Sequence, residues 1–440
     1  MTKINRRKFL KASGGAAAVA KTGGIAAILA SGRAPAYAQA ATVHWLRWND
    51  FVPAADAMLK DTLIPEAEKA LGIKVNFERV NANDLQPRIT SAIQSGAGAD
   101  IIMLSNNHPH LYKASLVDVG DVCDEVGKAQ GGYFDIAKGN SSSGGKWLSV
   151  PSNVVGGLNA WRKSWFAEVG ATEFPKTWDE YRTVGKKLKN NGHPVGQAVS
   201  QSFGDPPSFI YPLLWSFGGA EVDKTGKVSI NSPATIEALK FMNAFWKDCC
   251  DEGGLAWDDS SNNRAFLSGT IASTLNGASI YIETLRKPDQ YKTEKGAPMS
   301  TDILHAALPS GPKGHFNSHL YHSHVIPTYS KNQAQAKAFL KWFHTAANYE
   351  KWFVTFKGFN TAPTAVWENH KMWDEDPVMK PFQNAGKTSK LPGYEGETNE
   401  KAAEVLSKYT IINMFAASIK GQAPEEAAKA AEAELKKIYV

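Results

Sequence analysis

The 440-residue sequence has little cysteine, and it lacks the long apolar runs and short motifs on which several functions depend. Beyond the first forty residues no run of about 18 apolar residues occurs, so we expect no membrane-spanning helix there. The chain has no G-x-S-x-G, H-E-x-x-H or C-x-x-C motif and no complete phosphate-binding or dinucleotide-binding glycine loop. These absences make an enzyme less expected without excluding one.

Cysteine is restricted to Cys123, Cys249 and Cys250, and an odd count leaves one sulfur without an internal partner. Cys249 and Cys250 are adjacent in an apolar helical stretch, so the sequence allows either two buried thiols or one bond to Cys123. We interpret all three as structural and redox-silent.

Acidic residues are absent from the first forty positions, which contain seven Lys and Arg. The segment places Arg6 and Arg7 before Phe-Leu-Lys, continues with Gly and Ala, and ends in small residues that permit cleavage after Ala38 or Ala40. This pattern predicts an export signal over residues 1–38 and resembles the twin-arginine type. We therefore expect a soluble periplasmic protein that engages the twin-arginine export machinery.

The formal charge of +6 belongs to this leader, because its removal leaves 42 basic residues against 43 acidic ones. A net charge near −1 argues against a nucleic-acid partner, which would require a basic face.

Alternating strand and helix patterns follow from residue 42. The sequence predicts strands at residues 42–48, 73–77 and 101–104, with a helix over 54–71 interrupted at Pro65 and another over 85–93. This order predicts an α/β fold with a parallel sheet. Further helix starts are predicted by capping boxes at Thr177 and Ser330 and by Ser232 followed by proline.

Six segments, in order, resemble the family 1 extracellular solute-binding proteins of ABC importers, the maltose-binding-protein-like group. They are GADIIML at 98–104, GKWLSVP at 145–151, FPKTWDE at 174–180, RAFLSGTIASTLNG at 264–277, LPSGP at 308–312 and SKN at 330–332.

The resemblance implies a two-lobe periplasmic-binding-protein fold, in which each lobe is a mostly parallel sheet flanked by helices and a multi-segment hinge joins them. It implies that lobe 1 comprises residues 39–152 and 306–358, and that lobe 2 comprises residues 153–305 and 359–440. Such monomeric proteins close around a ligand and deliver it to an inner-membrane permease, with no chemistry, catalytic residue or cofactor.

Open α/β sheets bind ligands beyond the carboxyl ends of their strands. Amides there suit hydroxyl groups, and aromatic rings suit the apolar faces of sugars. The alternative for Asp50 is to cap the next helix, and the alternative for each asparagine is to stabilise a turn. The ligand-contact candidates at predicted strand ends in lobe 1 are Trp48, Asn49, Asp50, Asn106, Asn107 and Asn153.

In lobe 2 the candidates are Asn276, Ser279 and the aromatic–acid pair Phe203 and Asp205. The family usually carries a sugar-stacking tryptophan where this chain has Ser279, which departs from a maltodextrin-like site. Tyr281 or Trp257 could supply the missing ring, with core packing as the alternative.

Four histidines fall within ten residues, at His315, His319, His322 and His324. A metal site needs three or four converging donors, which a strand alone cannot provide. We expect His322 to bond the ligand from a strand that crosses between lobes, with a structural hydrogen bond as the alternative.

The sequence therefore predicts a periplasmic binding protein for a small carbohydrate or polyol. The alternatives are a metal-dependent binder that uses residues 315–324 and a secreted carbohydrate-active enzyme. Asp258 and Asp259 would offer carboxylates to such an enzyme, but solvated loop acids are the simpler interpretation of both. An acidic ligand would require a cation in the cleft, for which Arg47, Arg79 and Arg162 are available.

Overall fold

A computed structural model describes residues 40–440, and the export signal predicted for residues 1–38 lies outside the described residues. The strands are β1 (Thr42–Trp48), β2 (Lys74–Val80), β3 (Ile101–Ser105), β4 (Ser142–Ser143), β5 (Lys146–Trp147), β6 (Val150–Val155), β7 (Leu158–Arg162), β8 (Ser273–Asn276), β9 (Ile303–Ala306), β10 (Leu320–Val325) and β11 (Asn360–Thr361).

Helices connect these strands and cover both faces of the sheets. The α-helices span Pro53–Met58, Ile64–Leu71, Leu85–Ser95, Gly120–Ala129, Asp135–Ser141, Lys163–Glu168, Trp178–Asn190, Asp205–Phe217, Pro233–Cys249, Ser261–Leu267, Ser279–Arg286, Gln333–Phe343, Ala346–Phe353, Met372–Glu375, Ala385–Thr388, Glu400–Ser407, Thr410–Ile419 and Pro424–Ile438. None of the helices in the described part of the chain is long and apolar enough to cross a membrane.

Two main sheets form the two lobes. The larger has the order β11-β6-β10-β3-β1-β2, with β1 parallel to β2 and β3, and β10 antiparallel between β3 and β6. The smaller has the order β8-β7-β9 and is antiparallel throughout. The predicted two-lobe α/β class is confirmed.

The expectation of mostly parallel sheets holds for the larger sheet, in which β1, β2, β3 and β6 share one direction, but is wrong for the smaller one. The reason is the direct passage from β6 to β7 through Gly156 and Gly157. Strand β7 therefore starts at the junction of the two sheets, where β8 and β9 end. A Cβ on Gly156 would lie 2.8 Å from the Phe382 ring, so glycine is required for this close crossing.

Most predicted helix starts are confirmed. Thr177 Oγ1 accepts from the Glu180 backbone N–H at 3.2 Å and Glu180 accepts from Thr177, while Ser232 accepts from the Thr235 N–H. The box predicted at Ser330 is wrong, because its hydroxyl instead donates to Asp100 at 2.6 Å. The α-helix predicted over 54–71 is interrupted just before Pro65, where a π-helical turn over Leu59–Leu63 leads into the helix Ile64–Leu71.

Two apolar cores underlie the two sheets. The second contains Cys249 and Cys250, and all three cysteines are buried free thiols. The helix Pro424–Ile438 at the end of the chain packs on this core, so the last residues stabilise the half of the molecule built around the smaller sheet.

The buried carboxyl of Glu221 ties this last helix to the second core. Its oxygens accept from Tyr439 Oη at 2.9 Å and from Tyr211 Oη at 3.4 Å. Burial raises the pKa of Glu221 to about 7, against hydrogen bonds that lower it. The folded protein therefore holds a proton at Glu221 at pH values where the unfolded chain has lost it.

Replacement of Glu221 by Gln should make the protein less sensitive to alkaline pH. The folded-state pKa lies above the unfolded value, so the contribution of Glu221 is complete below about pH 4.5 and is lost as pH rises through about 7. Between pH 5 and pH 8 the unfolding free energy of wild type should fall relative to that of Glu221→Gln by roughly 1–3 kcal/mol. Urea unfolding measures it; the exposed control Glu237→Gln should show no such trend, and an equal trend in both would contradict the assignment.

Candidate functional site

A cavity of about 290 Å³ lies where the two sheets meet. Strand ends contribute four of its twelve lining residues, because Trp48 ends β1, Val155 ends β6, Asn276 ends β8 and Leu320 begins β10. The lining residues of this inner cavity are Trp48, Phe51, Val155, Phe203, Gly204, Asp205, Asp259, Asn276, Gly277, Ser279, Leu320 and Phe359.

The Trp48 ring is held by contacts on several sides. Its indole Nε1–H donates to Asp50 Oδ2 at 3.2 Å, and its ring centroid lies 4.4 Å from that of His322. From the opposite lobe, the Phe203 ring meets Trp48 edge-on at 5.8 Å. Trp48 is only 1% exposed, so the two lobes are closed over the cavity.

Both carboxylate oxygens of Asp50 accept hydrogen bonds from nearby residues. Its Oδ1 accepts from the Val52 N–H at 3.0 Å, and its Oδ2 also accepts from Arg47 at 3.2 Å. Burial raises the pKa of Asp50 to about 7, in spite of the opposing charge of Arg47. Asp50 thus shapes the turn after β1 and positions Trp48.

The loop before the helix Asp205–Phe217 is organised by Asp259. Its Oδ1 accepts from the Asp205 N–H at 2.6 Å, and its Oδ2 accepts from the Gly204 N–H and the Ser202 hydroxyl. Asp259 is buried, so its interpretation as a solvated loop acid is wrong. Burial is the largest cause that raises the pKa of both Asp205 and Asp259.

An amide network completes the lobe 2 wall. Asn276 Nδ2 donates to Asn263 Oδ1 at 2.6 Å, and the Ser279 hydroxyl donates to Asn276 Oδ1 at 2.9 Å. Asn262 Nδ2 donates to Asp205 Oδ2 at 2.6 Å. These bonds fix the side chains that face the cavity.

A second cavity of about 600 Å³ adjoins the first at Phe51, Phe203 and Asp259. Asn49 and Asp50 line it on one side, and Asp258 and Asp259 on another. The predicted residues Trp48, Asn49, Asp50, Phe203, Asp205, Asn276 and Ser279 therefore meet around one continuous space.

The other asparagines predicted in lobe 1 lie behind this space. Asn106 extends the ladder beyond β3, because its N–H donates to the Tyr321 carbonyl at 2.7 Å and its Oδ1 accepts from the Tyr321 N–H at 3.0 Å. Asn153 Nδ2 bonds His322 Nδ1 at 3.1 Å and Asn360 Oδ1 at 3.0 Å. Asn107 is fully buried, and neither side-chain atom has a protein partner.

The two aromatic residues suggested as substitutes for a stacking tryptophan also lie outside both cavities. Tyr281 Oη donates to Asp376 at 2.8 Å, and the Trp257 ring packs against Gly196 and Gly253. Their positions favour the packing alternative.

The histidine-rich segment does not converge on one point. His322 bonds Asn153 behind Trp48, and burial lowers the pKa of His322 to about 3. His319 Nδ1 accepts from the Gly157 N–H at 3.1 Å, and His315 is exposed. Among residues 40–440, no three His, Cys, Asp or Glu side chains are grouped so that they could hold a metal ion.

The three arginines considered for an acidic ligand point elsewhere. Arg47 lies behind Asp50, with its guanidinium over Trp45 and Trp352. Arg79 pairs with Asp56 at 3.0 Å, and Arg162 pairs with Asp302 at 2.6 Å. Within the described part of the chain, neither cavity is lined by Lys, Arg or His.

Sequence reasoning missed three aromatic and acidic parts of the site. Phe51 follows the predicted Asn49-Asp50 directly and could have been included with them. Phe359 comes from a segment about 300 residues away and carried no signal. The sequence alone indicates only a loop acid at Asp259, because it does not reveal the burial of this side chain.

Comparison with known proteins supports the same architecture. A model of the bacterial extracellular solute-binding proteins matches residues 48–350. A probable ABC transporter-binding protein of Deinococcus radiodurans is 25% identical over 366 residues, which cover 78% of this chain and 82% of that protein.

Two solved structures show the same fold at low identity. A maltose-bound protein of T. maritima has a TM-score of 0.76 at 19% identity, with 90% of this chain and 100% of that chain covered. A ribitol-bound solute-binding protein of Agrobacterium radiobacter has a TM-score of 0.69 at 17% identity, with 91% and 99% covered. Because the family match extends over more than half of the sequence, this chain belongs to the bacterial extracellular solute-binding proteins.

Proposed function

We propose that this chain captures a small carbohydrate or polyol between its lobes and delivers it to the membrane permease of an ABC importer. The inner cavity carries the proposal, because it combines aromatic rings with amide, hydroxyl and carboxylate groups. The rings pack against C–H surfaces, and the polar groups accept from or donate to hydroxyls. Maltose and ribitol, which are bound in the two structural relatives, belong to this class.

The charge of the groups that line the cavity narrows the class of ligand. Phosphorylated and acidic sugars are disfavoured, because carboxylates line the cavity and the three candidate arginines bond acidic side chains elsewhere.

The remaining features of the proposal concern the whole chain. We propose lobe boundaries close to those that the resemblance implies, except that β6 (Val150–Val155) and β11 (Asn360–Thr361) pair in the larger sheet and therefore belong to lobe 1. Residues 1–38 direct export to the periplasm by the twin-arginine route, where the protein acts as a soluble monomer. It performs no reaction on its ligand and requires no cofactor.

Ligand capture should raise the melting temperature of refolded, leader-free protein. Binding to the folded state alone stabilises it by about 2.7 kcal/mol at a hundredfold excess over Kd. We expect a shift with at least one neutral or amino-substituted sugar or polyol, unchanged by EDTA, and none with sugar phosphates. The absence of a shift throughout the panel would contradict the proposal, as would a loss of stability on chelation that Zn²⁺ restores.

Truncation of Phe203 should weaken binding by at least tenfold, because its ring closes the inner cavity from lobe 2 and contacts Trp48 across it. Isothermal titration with the best ligand of the melting panel measures this loss for Phe203→Ala. The control Phe217→Ala removes the same ring from the far end of the helix Asp205–Phe217, where it packs on Phe241. Equal losses in both variants would show a general effect on folding instead.

Export should depend on the arginine pair. Replacement of Arg6 and Arg7 by Lys keeps the charge of the leader, so a general export signal would still function. We expect the double variant to remain in the cytoplasm, as measured by cell fractionation and immunoblotting. Undiminished periplasmic protein would contradict the twin-arginine route.

A further inference from the structure

The aromatic rings of the inner cavity are arranged as a box rather than as one flat platform. Trp48 meets Phe51 at 5.5 Å with 68° between ring planes, and it meets Phe203 at 5.8 Å with 77°. Phe51 and Phe359 are 6.4 Å apart at 39°. Four rings at different angles line the cavity, and an aromatic face attracts a compact cation, whereas a sugar ring stacks on one broad face.

Two carboxylates line the same cavity as these rings. Asp205 and Asp259 both line the cavity, and the Asp205 N–H donates to Asp259 at 2.6 Å, so the two acids are neighbours. Both oxygens of Asp259 accept hydrogen bonds from the loop before the helix Asp205–Phe217. Asp205 Oδ2 accepts from Asn262 Nδ2, the carboxyl is also hydrogen-bonded by Asn276, and Asp205 lines the cavity.

No cation of the protein compensates this pair. Among the ion pairs of residues 40–440, none includes Asp205 or Asp259, while nearby Arg47 and Arg264 pair with Asp50 and Asp258. Burial, and then the charge of Asp259, raises the pKa of Asp205 well above its usual range. A positive group in the cavity would relieve both the repulsion and the desolvation of these acids.

We propose that the natural ligand carries a cationic nitrogen that lies against Asp205 and is enclosed by the rings of Trp48, Phe51, Phe203 and Phe359. This inference rests on the proposed function and specifies its ligand class as an amino sugar or amino polyol. A neutral hydroxyl can donate to Asp205 but leaves the negative pair uncompensated. An anion would be repelled.

Matched ligand series test the charge alone. One series comprises glucosamine, N-acetylglucosamine and glucose, and another comprises 1-amino-1-deoxyglucitol and glucitol; galactose and ribitol series follow the same plan. Isothermal titration should give at least one series in which the amine binds tenfold or more tightly than its neutral and N-acetylated counterparts. N-acetylation is the sharpest comparison, because it keeps the nitrogen and removes its charge.

The outcomes separate this inference from the proposed function. Neutral members that bind as tightly as the amines, in every series that binds, would overturn the cationic ligand and leave sugar capture intact. If no member of any series binds, the proposed function itself fails.

The variant Asp205→Asn provides a second test of the cationic ligand. The substitution keeps the shape and the acceptor for Asn262 but removes the charge, so we expect the ratio of amine affinity to neutral affinity to fall by at least tenfold. The control Asp179→Asn alters an exposed acid in the first turn of the helix Trp178–Asn190 and should keep the preference. A preference that survives in Asp205→Asn would overturn the assignment, and thermal melting confirms that both variants are folded.

Discussion

The insertion of β10 between β3 and β6 is the constraint on which the site depends. A strand that returns from lobe 2 must run against its neighbours, and this brings its first residue, Leu320, to the same edge at which β1 and β6 end. The hydrogen bonds of Asn106 with Tyr321 and of Asn153 with His322 secure this insertion with side chains. Strand pairing therefore positions Trp48, Val155 and Leu320 in the cavity wall, and Phe51 and Phe359 join them from segments outside the strands.

This constraint explains which predicted residues face the ligand. Reasoning from strand ends correctly brought together Trp48, Asp50, Asn276 and the Phe203–Asp205 loop, because parallel strands deliver their carboxyl ends to one edge. It misplaced the amides next to β10. An asparagine at a strand end can bond either a ligand or an adjacent backbone, and only the three-dimensional pairing decides between the two.

The fold was predictable where local chemistry dominates, as in the capping box at Thr177 and the alternating strands near the start of the chain. Prediction failed where distant segments meet. Phe359 reaches the cavity from beyond β10, and the burial of Asp259 results from a loop 55 residues earlier, at Gly204. The antiparallel smaller sheet was missed because local periodicity does not encode strand direction.

The contact between Trp48 and Phe203 has a kinetic consequence. Opening of the lobes would expose both rings to water, at a cost of about 25 cal/mol for each Å² of apolar surface. This cost stabilises the closed arrangement of the lobes relative to an open one, and a ligand can enter only while the lobes are open. The same two rings that enclose a captured molecule would then hold the lobes closed, and the rate of uptake would depend on how often the lobes open.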